Sequence, residues 1–169
     1  MEHLQITACL FSFISLLLLI IALASDFWVV DLKNQHSGLW QTCRGDLCVR
    51  YGMNVPAFIH GTRAFMVMGM MAGTVSFFGL FTSFFRTHVG SISIKVITVS
   101  ASIVAGVCGL IAMSTFTGMY TNHTSELGKS FGWSFAIGWV SSILFFKSGL
   151  LAYKAMAHSA RISYSPLPE

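Results

Sequence analysis

The stretch ITACLFSFISLLLLIIALA, Ile6–Ala24, carries no charged side chain. At about 1.5 Å per residue it is long enough to cross roughly 30 Å of hydrocarbon as a single helix. That reading sets the solvent in which the rest of the chain must fold. Three more apolar runs follow: 64–85, bounded by Arg63 and Arg86, then 96 to about 120, then 131 to about 153. Four such runs in 169 residues leave too little polar sequence to wrap a soluble core. Composition agrees, with 54% hydrophobic and 9% charged residues against about 25% charged in a soluble domain. Mean hydropathy is +0.72. The expected fold class is an all-α membrane protein: a four-helix transmembrane bundle over 1–156 and a cytosolic tail over 157–169. Its first partner is the lipid bilayer. The 10 Lys and Arg against 6 Asp and Glu are scattered, with no basic run to follow a phosphate backbone, so no nucleic-acid partner is expected.

Ala22-Leu23-Ala24 has the form of a signal-peptidase site, but the segment before it offers Glu2 and His3 in place of positive charge. The apolar stretch also exceeds the roughly 7–15 residues of a signal core, so the first run is read as an uncleaved span. Both termini then share one side, and the outer loops 25–62 and 121–130 share the other. Arg86, Lys95, Lys147, Lys154 and Arg161 on the terminal side balance Lys33, Arg44, Arg50, Arg63 and Lys129 on the loop side, so the positive-inside rule is neutral. Orientation rests on Cys43 and Cys48 in the first loop and the glycosylation sequon at Asn122 in the second. Both are chemistry of an oxidising compartment, which places the termini in the cytosol.

Lys147 interrupts the fourth run, near enough to the Lys154 end to snorkel to the interface. No acidic or His group lies at mid-membrane depth to serve a proton relay or carrier, and no polar stripe is evident for a pore. Gly69 and Gly73, Ala105 and Gly109, and Ser134, Gly138 and Ser142 recur at helix-packing intervals, read as contacts within the bundle. Cys9 and Cys108 inside spans are read as small apolar packing groups.

The first loop is different in kind, running Trp28 … Gly38-Leu39-Trp40-Gln41-Thr42-Cys43-Arg44-Gly45-Asp46-Leu47-Cys48. Two Cys could bind metal, but no further pair completes a ligand set, so a disulfide is the better account and no metal site is expected. Arg44-Gly45-Asp46 puts Gly at a turn, which predicts a hairpin fastened by the bridge. Trp28 and Trp40 suit a membrane interface. Arg63, just before the second run, is read as the partner of Asp26.

Trp28, Gly38, Leu39, Trp40, Cys43, Cys48 and Arg63 resemble the signature of the claudin, peripheral myelin protein, epithelial membrane protein and lens fibre membrane protein superfamily. The resemblance implies a claudin-like bundle under a small extracellular or lumenal β-sheet drawn from both outer loops. The close Cys spacing resembles the epithelial and lens members more than the claudins, which argues against a paracellular channel. Residues 21–28, 36–40 and 133–141 resemble a cytotoxic-granule branch, whereas Thr62-Arg63-Ala64-Phe65-Met66 resembles the lens branch. The two branches imply different roles: regulating the trafficking or exocytosis of lysosome-related granules, or structural adhesion at a cell junction. Either is compatible with a homo- or hetero-oligomer in the membrane.

The tail ends in Tyr164-Ser165-Pro166-Leu167, which fits the Tyr-x-x-Φ form read by a clathrin adaptor, Φ being Leu167. Pro166 favours the extended conformation that such a peptide needs. The granule branch resembles this chain in having a Tyr-x-x-Leu tail, which implies delivery to the lysosomal or cytotoxic-granule membrane and to the cell membrane. No phosphate loop, carboxylate pair or nucleophile set occurs. The reading is therefore of a protein with no enzyme activity, catalytic residues or cofactor.

Overall fold

The computed structural model describes residues 2–31, 35–52, 54–85, 88–89, 92–123 and 129–163. Four helices long and apolar enough to cross a membrane make up most of it: α1 (Glu2–Ala24), α2 (Ala57–Thr82), α3 (Ile94–His123) and α4 (Trp133–Ser163). Between α1 and α2 lie β1 (Val29–Asp31), β2 (Gln35–Ser37), β3 (Gln41–Arg44) and β4 (Leu47–Arg50). A short pair, β5 (His88–Val89) and β6 (Ile92–Ser93), joins α2 to α3, and β7 (Lys129–Phe131) precedes α4. The strands β4-β3-β2-β1-β7 form one antiparallel sheet over the loop end of the bundle. The expected sheet from both loops is thus present, with β7 carrying the second loop onto the edge of the first.

The helix boundaries differ from the apolar runs, three of them by the start or end of a neighbouring element or segment. Helix α2 begins at Ala57 and not at 64, because Pro56, at φ −53°, starts it before the hydrophobic face does. Arg63 is therefore inside the helix and the first loop ends at Pro56. Phe131 belongs to β7, opposite Val29, so the fourth helix starts at Trp133. At its far end α4 continues to Ser163 and so takes up much of the expected tail, since a polar face in water does not stop a helix that Lys154, Ala155, Met156 and Ala157 favour. Tyr164 and Leu167 lie outside the described residues.

The helices pack α2 on α3, α3 on α4 and α4 on α1, with a lighter contact between α1 and α2. Close approach is made by the small residues. A Cβ on Gly69 would sit 3.4 Å from the Ala105 carbonyl oxygen and 3.5 Å from the Cys108 Cβ, Gly73 lies under the Phe145 ring, and Gly109 abuts the Ser142 hydroxyl. These are contacts within one chain, as the spacing predicted. Lys147 is exposed on the outside of the bundle, where snorkelling requires it.

The bundle holds a seam of buried hydroxyls. Ser12, Ser15, Ser76, Ser102, Ser141, Ser142 and Ser148 are all buried. Ser141 and Ser148 lie seven residues apart on one face of α4, and the bundle brings them to their partners on α1. The Ser15 and Ser142 hydroxyls donate back to the Phe11 and Gly138 carbonyls of their own helices, and the others join helices. Ser12 and Ser76 hydroxyls lie 3.3 Å apart, Ser76 is hydrogen-bonded to Ser102, and the Ser141 and Ser148 hydroxyls donate to the Ser15 and Ala8 carbonyls at 3.1 and 2.8 Å.

Candidate functional site

The signature residues converge at the seam between sheet and bundle. The last turn of a helix leaves carbonyls without partners, and α1 ends at Ala24 just under the sheet. Two indoles satisfy it: Trp28 Nε1 donates to the Ala22 carbonyl at 2.6 Å and Trp40 Nε1 to the Leu23 carbonyl at 2.8 Å. Trp28 is wholly buried, edge-on to Phe116 at 4.8 Å and to Phe135 at 6.1 Å. It is a core residue and not the interface anchor that its place after the first span suggested, because the returning β7–α4 connection closes over it. Gly132 N–H donates to the Trp28 carbonyl at 2.9 Å and Ser134 N–H to the Phe27 carbonyl at 3.3 Å. Trp40 remains 42% exposed, as an interface residue would be.

Arg63 does not pair with Asp26. Its Nε and Nη2 both donate to the Leu39 carbonyl, at 2.8 and 2.5 Å, and its guanidinium carbon lies 4.7 Å from the centre of the Trp40 ring. Asp26 instead accepts from Gln41 Nε2 at 2.5 Å. Helix α2 starts at Ala57, nearly two turns before Arg63, so Arg63 is held within the helix and reaches the Gly38–Trp40 bend. A carbonyl in a bend has no strand partner, and a planar fork over an indole is what fills the gap. Replacing Arg63 by Leu is expected to leave that carbonyl unpaired and to cost about 1.5–3 kcal/mol, the range for a hydrogen bond to a charged group. Arg63→Lys, which can reach the carbonyl but not the ring plane, should recover only part of the loss when thermal unfolding is followed in detergent.

Leu39 is wholly buried, and a Cβ on Gly38 would fall 2.6 Å from both the Asp26 Cα and the Ser25 carbonyl oxygen. Gly38-Leu39-Trp40 is therefore a plug: glycine for contact, leucine for the core, tryptophan for the helix end. Beyond it, Cys43 and Cys48 are directly opposite in the β3–β4 register and joined as a disulfide, with Cα atoms 4.0 Å apart. Gly45, at φ 59°, makes the two-residue turn with Asp46. The expected hairpin and bridge are both present, and no group of residues able to hold a metal is found among the described residues.

Asn122 is in the last turn of α3, and Thr124 of its sequon lies outside the described residues. Sequence reading missed two features of the cap. Gln41 locks Asp26, for which no one-dimensional signal exists. Val29, Asp31, Gln35, Tyr51, Phe58, Ile59, Phe116 and Tyr120, from separate elements, also surround a cavity of about 330 Å³.

A tetraspan bundle whose first helix is capped by indoles from a disulfide-pinned sheet defines a claudin-like membrane protein. The chain belongs to the PMP-22/EMP/MP20/Claudin family, whose sequence profile matches residues 2–152. It is similar to Protein NKG7 of Homo sapiens, at 30% identity over 99% of this chain and 100% of that protein. Protein NKG7 of Mus musculus is 31% identical over 88% of each. Lens fiber membrane intrinsic protein of Rattus norvegicus is 28% identical over 82% of this chain and 83% of its own.

Proposed function

We propose that this multi-pass membrane protein is non-enzymatic and regulates the trafficking or exocytosis of lysosome-related granules. The observation that carries this reading is the extent of the similarity to human Protein NKG7, which covers 99% of this chain and so takes in the C-terminal segment, whereas the likeness to the rat lens protein covers 82%. In this reading the termini are cytosolic, Asn122 faces the lumen, and Tyr164 and Leu167 enter two pockets of a clathrin adaptor. The test is location. Tyr164→Ala, in a tagged full chain expressed in a granule-forming cell, is expected to move most of the protein from lysosomes to the plasma membrane. An unchanged lysosomal share would sink the sorting role.

A second reading, structural adhesion at a cell junction, is favoured by one observation. Strand β4 is one edge of the sheet, with Leu47 73% and Val49 57% exposed. Apolar side chains on an unpaired edge are a template for another surface. Adhesion through this edge needs the hairpin held in register, which the bridge supports by roughly 2 kcal/mol on loop-closure entropy. Cells displaying the Cys43→Ser, Cys48→Ser double variant should then aggregate less than cells displaying the parent chain; equal aggregation would count against junctional adhesion.

A further inference from the structure

The cavity under the sheet has a built polarity. Its floor is made by Pro56, Phe58 and Ile59 at the start of α2 and by Phe116 and Tyr120 at the end of α3, with Val29 behind them. Its roof is the underside of β1 and β2, with Ser37, Gln35 and Asp31, and at its edge stands Lys129, directly opposite Asp31 in the β1–β7 register. The floor lies at the loop-side ends of two apolar helices, the depth at which lipid headgroups meet hydrocarbon. At about 330 Å³ the space is at the small end of ligand pockets, which run to roughly 300–1,000 Å³, and is too small to enclose a two-chain lipid. A roof with both signs of charge in register complements a head that also carries both, and a bare carboxylate would face Asp31. Aromatic walls next to a carboxylate also suit a quaternary ammonium.

We propose that this cavity binds a single-chain lipid with a zwitterionic head, its acyl chain between Phe58, Ile59 and Phe116 and its head against Asp31, Gln35 and Lys129. The inference depends only on the bundle and cap, and holds for a granule or a junction protein alike. The test uses the full chain in lipid nanodiscs, cross-linked with a lysophosphatidylcholine that carries a diazirine in its chain. Label is expected in the peptides around Ile59 and Phe116, and excess unlabelled lysophosphatidylcholine should suppress it. Ile59→Trp, which fills the floor, should lower labelling there about tenfold, while Phe78→Trp on the lipid-facing side of α2 should leave it unchanged. Competition on the unaltered chain decides the matter even if Ile59→Trp does not fold. Label spread evenly along the lipid-facing helices would overturn the site. Equal competition by diacyl phosphatidylcholine would overturn the single-chain assignment, and equal competition by a free fatty acid would overturn the head chemistry.

Discussion

Trp28→Ala is expected to cost about 3–5 kcal/mol, the range for emptying a buried aromatic site, and to be the most damaging single change in the cap. Trp28 is wholly buried and holds three things at once: the Ala22 carbonyl through its indole N–H, and the Phe116 and Phe135 rings of α3 and α4 through its faces and edges. Removing it opens a void and frees the end of α1 together. Trp28→Phe separates the two contributions. A phenyl ring keeps much of the packing and loses the donor, so it should cost about 1–3 kcal/mol, the penalty for one buried group left unsatisfied. Thermal unfolding in detergent, with the apparent midpoint of each variant set against the parent, gives the order parent, Phe, Ala. If Trp28→Phe proves as damaging as Trp28→Ala, the helix-end hydrogen bond and not the packing is the anchor.

Gly38→Ala is the second large effect, for a steric and not a conformational reason. The added methyl would stand 2.6 Å from the Asp26 Cα and the Ser25 carbonyl oxygen, both backbone atoms at the exit of α1, so neither can turn aside as a side chain would. The sheet must lift from the helix, which weakens the neighbouring Trp40 indole bond to Leu23 and the Arg63 bonds to Leu39. Overpacking of this kind costs about 1–3 kcal/mol, occasionally more. The control is Gly61→Ala. Gly61 is within α2 with nothing inside 4 Å of its missing Cβ, so alanine should raise stability by about 0.5–1 kcal/mol through helix propensity. Opposite signs at two glycines of one chain, read from the same unfolding assay, are the expected outcome. A neutral Gly38→Ala would mean that the cap is not seated on α1 as described.

These variants also bear on how the family signature is read. Trp28, Gly38, Leu39, Trp40 and Arg63 occupy positions that seat the sheet on the bundle, so their presence marks the architecture. The surfaces that could differ between a granule protein and a junction protein lie elsewhere: the β4 edge at Leu47 and Val49, the cavity beneath β1 and β2, and the segment around Tyr164.

Hydropathy along the chain determined the bundle. A helix must satisfy its own backbone in hydrocarbon, so an uncharged run such as Ile6–Ala24 has one structure open to it wherever its neighbours lie. The same local logic made the Gly45 turn and the pairing of Cys43 with Cys48 legible, since both are decided within a few residues. The starting point of α2 was not legible, because Pro56 and Ala57 precede the uninterrupted apolar run that begins after Arg63. Nor were the partners of Arg63 and Asp26: sequence placed two opposite charges near one interface, and the fold gave the cation a bend carbonyl and the anion a glutamine. Serines scattered over four helices became a seam only when those helices met. Periodicity and hydropathy report on one element at a time, whereas a buried polar group must find its partner in three dimensions, where desolvation penalises every arrangement that leaves it alone.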